Sequence, residues 1–161
     1  MTESPVYSFR KAEPSDIDAI IAINKQCLPE NYEKRLFEKM LYSTIVCCNT
    51  AGPVGYIILA NILTSTPSLL KYSSITEKGI HHAVILSLAM LSEHRKKGNG
   101  KELLIKTLNA SQSKHVALHV RKTNESAIKL YKSVGFVEIE CLSGYYKNPP
   151  DDGLIMVYTK P

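Results

Sequence analysis

The chain lacks an apolar run long enough to cross a bilayer. Its longest, Val54 to Leu63, is broken by Asn61, where a spanning helix needs about 20 apolar residues, so no membrane partner is expected. It lacks a C-x-x-C pair among Cys27, Cys47, Cys48 and Cys141, which predicts reduced, mostly buried thiols. His81 and His82 are adjacent while His94, His115 and His119 are scattered, so no zinc-type cluster is spelled out and no metal is expected. There is no long basic block either: the net charge of +5 is spread along the chain. That leaves no motif for specific nucleic-acid recognition, yet supplies a modest positive field around an anionic ligand. The start Met1-Thr2-Glu3-Ser4 has neither the basic nor the apolar stretch of a signal peptide, so a cytoplasmic location is expected, with the nucleus left open.

What is present is an ordinary globular composition, 44% hydrophobic and 22% charged over 161 residues, without internal repeats. It predicts one domain, 1–161. Tyr7–Arg10 reads as a first strand. Ser15-x-x-Asp18 after Pro14 reads as a capping box opening a helix with Ile17, Ile20, Ile21 and Leu28 on one stripe. A short helix from Glu33 to Leu41, a hairpin of Thr44–Cys48 with Val54–Leu63, a long exposed loop from Thr64 to Gly79 and a strand His82–Met90 follow. Then come helix Gly100–Gln112, strand His115–Val120, a helix capped by Asn124 and ended by Gly135, and strands Phe136–Cys141 and Leu154–Tyr158. Antiparallel strands first and strand–helix alternation afterwards predict an α/β protein of the α+β mixed-sheet kind, with a mostly antiparallel central sheet flanked by helices.

Arg95-Lys96-Lys97-Gly98-Asn99-Gly100 joins the apolar run Ile85–Leu91 to the helical pattern from Lys101. A helix N-terminus offers unpaired N–H groups and the positive end of the dipole, and glycines let a phosphate approach the backbone. With each charge-assisted hydrogen bond worth about 1.5–3 kcal/mol, the segment reads as a phosphate cradle, or else as a solvated basic turn. Two nucleotide loops are excluded. G-x-x-x-x-G-K-[ST] would need glycine where Arg95 stands and a hydroxyl where Glu102 stands, and G-x-G-x-x-G fails at Leu103.

This turn, the order of elements, and Asn124-Glu125-Ser126-Ala127-Ile128-Lys129-Leu130-Tyr131-Lys132-Ser133-Val134-Gly135-Phe136 together resemble the GNAT superfamily of acyl-CoA-dependent N-acetyltransferases. Within it, Leu28-Pro29-Glu30-Asn31-Tyr32, Leu118-His119-Val120-Arg121-Lys122 and Gly144-Tyr145-Tyr146-Lys147 resemble catalytic subunits of protein N-terminal acetyltransferases. Leu-Pro-Glu-Asn-Tyr is similar to the A-type subunit and its archaeal relatives. Asn-Glu-Ser-Ala-Ile and Tyr-Tyr-Lys before an acidic loop are similar to the E-type enzyme, the reading favoured here. Val84 stands where the E-type family has a tyrosine proposed as the base.

The resemblance implies the GNAT acyl-CoA N-acyltransferase fold with acetyl-CoA as cosubstrate. Its pantetheine would pair with Leu88, Ala89 and Met90, and its pyrophosphate would meet Arg95, Lys96, Lys97, Gly98, Asn99, Gly100 and Lys101, with Asn124, Ser126 and Tyr131 also on the cofactor. Continuous apolar strands such as Leu88–Met90 are otherwise plain core. Tyr131 would protonate the departing thiolate, or simply pack on the sheet. His119 lies on the strand face shared by His115, Ala117 and Arg121. It would take a proton from the incoming amine through a water, since an α-ammonium has pKa about 7.7–8.0 and must lose one to attack. Leu28, Pro29, Glu30, Tyr32, Leu86, Tyr145 and Tyr146 would form the peptide entrance. Without the resemblance they read as surface loop residues. Glu30, apolar in the E-type family, either assists proton removal or selects a different first residue.

The expected activity is acetylation of the α-amine of nascent or free protein N-termini, with an initial Met before an apolar second residue preferred. The alternatives are a lysine or small-amine acetyltransferase, and a catalytically weak acetyl-CoA-binding subunit of a larger complex. An auxiliary subunit or the ribosome is the expected partner beyond the substrate peptide.

Overall fold

The computed structural model describes residues 5–62 and 82–161; the loop expected from Thr64 to Gly79 lies outside them. Seven strands among the described residues form one sheet in the order β1-β2-β3-β4-β5-β7-β6. They are β1 Ser8–Lys11, β2 Thr44–Asn49, β3 Gly52–Ile62, β4 His82–Met90, β5 His115–Arg121, β6 Val137–Lys147 and β7 Pro150–Thr159. The helices are α1 Ile17–Cys27, α2 Lys34–Lys39, α3 Asn99–Ala110 and α4 Glu125–Val134. All registered pairings are antiparallel except β4 with β5, the mixed sheet with flanking helices that the element order predicts. Among the described residues no helix is long and apolar enough to cross a membrane.

The chain divides into two compact units, Met1–Ile58 with Ser87–Thr107 and Leu59–Leu86 with Leu108–Pro161. In the first, β1, β2 and β3 run antiparallel, and Gly52 takes φ +131° at the β2–β3 turn. The expected capping box is corrected here. Pro14 starts a 3₁₀ turn, Pro14–Asp16, so the capping pair is Glu13 with Asp16 rather than Ser15 with Asp18. The buried Asp16 carboxylate accepts from the Glu13 N–H at 2.7 Å and from the Arg10 guanidinium at 2.7 and 2.9 Å. Asp18 instead lies exposed beside Lys34. On α1, Ile20, Ile23 and Asn24 are buried.

In the second unit, His82–Ile85 pair in parallel with His115–Leu118, and β5 pairs along its whole length with β7. Val84, Ala117, Ile155 and Val157 form a buried cluster on which Leu86 and Leu142 pack. Asn124 caps α4 by accepting from the Ala127 N–H at 3.2 Å, and Gly135 ends it at φ +112°. The last two strands are longer than expected. β6 lies at the sheet edge and is exposed along most of its length, so Cys141 to Lys147 carries no apolar alternation to announce a strand. The thiol expectation is corrected in the same place: Cys47 and Cys48 are buried, Cys27 is half-buried, but Cys141 on β6 is exposed. Burial pushes the Cys47 thiol up to about 11.

Candidate active site

The glycine turn belongs to the first unit. Helix α3 begins at Asn99, and the Glu102 N–H bonds to the Gly98 carbonyl at 3.0 Å. Gly98 is therefore the capping residue, and having no side chain it cannot cap the N–H groups of Asn99, Gly100 and Lys101 that precede the first intrahelical bond. Gly98 takes φ +84°, and a Cβ there would meet nothing within 4 Å. Lys96 also adopts a left-handed φ of +57°. Arg95, Lys96, Lys97 and Lys101 are all exposed around these donors. A pyrophosphate fits this set by charge and by donor direction.

Arg95 also holds the turn to β4, its Nε donating to the Met90 carbonyl at 2.7 Å. Cys27 Sγ approaches the same carbonyl at 3.4 Å, so among Leu88, Ala89 and Met90 the last has its acceptor engaged by the chain itself. Ala89 and Met90 are buried and Leu88 half-buried. The Met90 thioether lies over Gly55, where a Cβ would stand 2.5 Å from its methyl. A side chain at 55 would displace that thioether and crowd the Ala89 carbonyl at 3.0 Å.

The loop Leu28–Tyr32 follows α1 in the same unit. Glu30 and Tyr32 are half-buried and Pro29 exposed. The Tyr32 ring meets Phe37 edge-on, with centroids 6.2 Å apart. Beneath the loop lies a buried polar chain that the sequence reading missed: Asn24 Nδ2 donates to the Tyr56 hydroxyl at 3.0 Å, which bonds Ser87 Oγ at 2.7 Å. Burial pushes the Tyr56 phenol up to about 12, so it remains neutral. The available signal was Asn24 itself, a polar residue on the apolar stripe of α1.

In the second unit, β5 presents half-buried His119 opposite Ile155 of β7. Tyr145 stacks on its imidazole with centroids 4.6 Å apart and planes at 12°. Tyr146 meets Tyr145 edge-on at 5.0 Å, and the Arg121 guanidinium lies 4.2 Å over the Tyr146 ring. Arg121 also donates to the Pro149 and Asn148 carbonyls at 2.7 and 3.2 Å. Three of the expected residues thus come together, with Arg121 as a further member that the sequence reading left without a role. The hairpin below is braced by Asp152, which accepts from the Gly144 N–H at 2.8 Å, and by Asp151, which accepts from Thr123 Oγ1 at 2.6 Å. Tyr131 on α4 is buried, packed against Phe136, which in turn meets Tyr158. Burial pushes its phenol up to about 12. Ser126 is exposed on the first turn of α4, and Leu86 packs on the buried cluster around Val84.

A seven-stranded mixed sheet of this order flanked by helices is the acyltransferase type of fold. Residues 17–136 match the Acetyltransferase (GNAT) family, and the chain belongs to that family. It is an acetyl-CoA-dependent acetyltransferase. It is 34% identical to an N-alpha-acetyltransferase of Sulfurisphaera tokodaii, over 90% of this chain and 89% of that protein. It is 36% identical to one of Sulfolobus acidocaldarius, over 90% and 88%. The N-terminal acetyltransferase A complex catalytic subunit NAA10 of Arabidopsis thaliana is 29% identical, over 89% and 73%. These relatives fall on the archaeal and A-type side of the resemblance. The fold is shared with Arabidopsis thaliana NAA60 in complex with a bisubstrate analogue, at a TM-score of 0.84 and 22% identity, over 96% of this chain and 98% of that one.

Proposed function

We propose that this acetyltransferase modifies the α-amine of protein N-termini. The observation that carries the reading is the stack of Tyr145 on His119, with Tyr146 alongside. It places an imidazole against one tyrosine ring with a second ring beside that tyrosine, a wall suited to a narrow extended peptide end rather than a lysine on a folded surface. The naming of the archaeal relatives as N-alpha-acetyltransferases supports it.

Bound at the α3 N-terminus, acetyl-CoA supplies a thioester open to direct attack by an amine. The N–H groups of Asn99, Gly100 and Lys101 and the surrounding cations hold its phosphates. His119 accepts the proton of the incoming ammonium through a water. Tyr131 acts on the departing sulfur as a hydrogen-bond donor. With its phenol near 12 against about 8.5 for a thiol, full proton transfer would cost about 5 kcal/mol, so solvent completes the protonation. Leu28 and Pro29 contact the first side chain, and the Glu30 carboxylate repels an acidic one. Peptides starting Met-Leu are the preferred substrates and those starting Asp or Glu the poorest.

The test is acetylation of peptides starting Met-Leu, Ser-Glu, Ala-Ala and Asp-Asp, each with a free and a blocked N-terminus and an internal lysine. Modification confined to free α-amines, fastest on Met-Leu, is expected. Equal modification of internal lysines refutes the reading, and fastest turnover on Asp-Asp refutes the substrate preference.

A further inference from the structure

The Leu28–Tyr32 segment has neither helix nor strand to hold it, yet it carries the residues proposed to grip the peptide. One buried side chain ties it down at two points. Asn24 is 1% exposed. Its Nδ2 donates to the Glu30 carbonyl at 3.2 Å, its Oδ1 accepts from the Tyr32 N–H at 3.3 Å, and its backbone carbonyl accepts from the Leu28 N–H at 3.0 Å. The second donor of Nδ2 goes to the Tyr56 hydroxyl, which Ser87 of β4 holds from the other side. Tyr56 is wholly buried and Ser87 nearly so.

A buried amide is costly unless its hydrogen bonds are made, and an apolar residue would satisfy the stripe of α1 without that cost. The bonds Asn24 makes go to the loop backbone on one side and to the Tyr56–Ser87 pair on the other. The pair fixes the amide, and the amide fixes the loop at residues 30 and 32. We propose that Asn24, braced by Tyr56 and Ser87, is the positioning residue of the peptide grip, setting the backbone from which Glu30 and Tyr32 meet the substrate. This inference rests on the proposed function for its substrate. It assigns Asn24 no contact with the reacting atoms.

The experiment compares the wild type with Asn24→Leu, Tyr56→Phe and Ser87→Ala by steady-state kinetics on the Met-Leu peptide. Hydrogen exchange at the Tyr32 amide is read alongside. Loss of a bond set worth about 1.4 kcal/mol raises peptide KM about tenfold in Asn24→Leu. Acetyl-CoA KM stays within about twofold, and Tyr32 exchange accelerates. Tyr56→Phe, which keeps the ring and the acceptor for Tyr32, raises peptide KM about threefold with Tyr32 still protected, because only the brace is lost. Ser87→Ala follows Tyr56→Phe in direction. If Asn24→Leu does not fold, Tyr56→Phe decides.

Unchanged peptide KM in the folded variants, or peptide and acetyl-CoA KM rising together, overturns the proposal while wild-type turnover leaves the function standing. A wild-type protein that acetylates no α-amine peptide overturns the function instead, and Tyr32 exchange then decides whether Asn24 holds the loop.

Discussion

Gly153 on β7 pairs with Arg121 of β5 and Leu142 of β6, and its missing side chain is what lets Tyr145 lie down. A Cβ there would stand 2.9 Å from Tyr145 Cδ1 and 3.0 Å from its Cβ and Cγ. Ordinary carbon contacts are about 3.5–4.0 Å, so Gly153→Ala forces the tyrosine outward by about half an ångström or more. Because Tyr145 Cβ is among the clashing atoms, rotating the ring does not relieve it; the β6 backbone must shift. Overpacking of this kind costs about 1–3 kcal/mol, which lowers Tm by about 2–12 °C in a chain of this size. The same shift lifts the ring from the His119 imidazole, losing a stack worth about 0.5–1.5 kcal/mol, so kcat/KM for peptide falls about threefold to tenfold. Acetyl-CoA affinity does not move. Thermal unfolding and steady-state kinetics read both effects. In a Tyr145→Ala background the cost of Gly153→Ala shrinks without vanishing, since the Cβ contact remains. A Gly153→Ala enzyme with wild-type Tm and wild-type peptide kcat/KM would refute the seating of Tyr145 on His119.

His119→Ala is expected to lower kcat about tenfold or more with acetyl-CoA binding unchanged; full activity across the pH range removes His119 as the base and directs attention to Glu30. Gly98→Val places a β-branched residue at φ +84°, where it is strained, and disorders the N–H groups that would face the phosphates. Calorimetry on the folded variant should show weakened acetyl-CoA binding, and unchanged affinity refutes the cradle. The Arg10 hydrogen bonds hold the Asp16 carboxyl below its ordinary range. A carboxyl with a depressed folded pKa stabilises fully above its unfolded value of about 3.9 and loses that contribution as pH falls through the folded one. Asp16→Asn should therefore be less stable than the wild type at pH 7, with the difference shrinking below about pH 4. A difference independent of pH would refute the ion-pair account.

Much of the architecture was legible because local chemistry dictated it. Asn124 and Gly135 bound α4 as caps do, β4 follows the apolar run His82–Met90, and the glycine turn opens α3. The Glu13–Asp16 cap was misplaced by two residues because Pro14 sets where the turn begins, and several acidic residues satisfy the same spacing. The lower half of β6 was missed because an edge strand open to solvent needs no alternation. The site divides in the same way.

The sequence by itself determined the fold class and the place of the glycine turn that opens α3, since both are written in contiguous residues whose propensities and caps act locally, and its motifs carried the resemblance to the family. Only the tertiary structure decided what lies beside what. Asn24, Tyr56 and Ser87 sit far apart along the chain and become one polar chain only when α1, β3 and β4 pack. Tyr145 comes to lie on His119 only because the β6–β7 register brings glycine at 153 beneath it. Burial and pairing depend on contacts distant in sequence, and no local pattern records them.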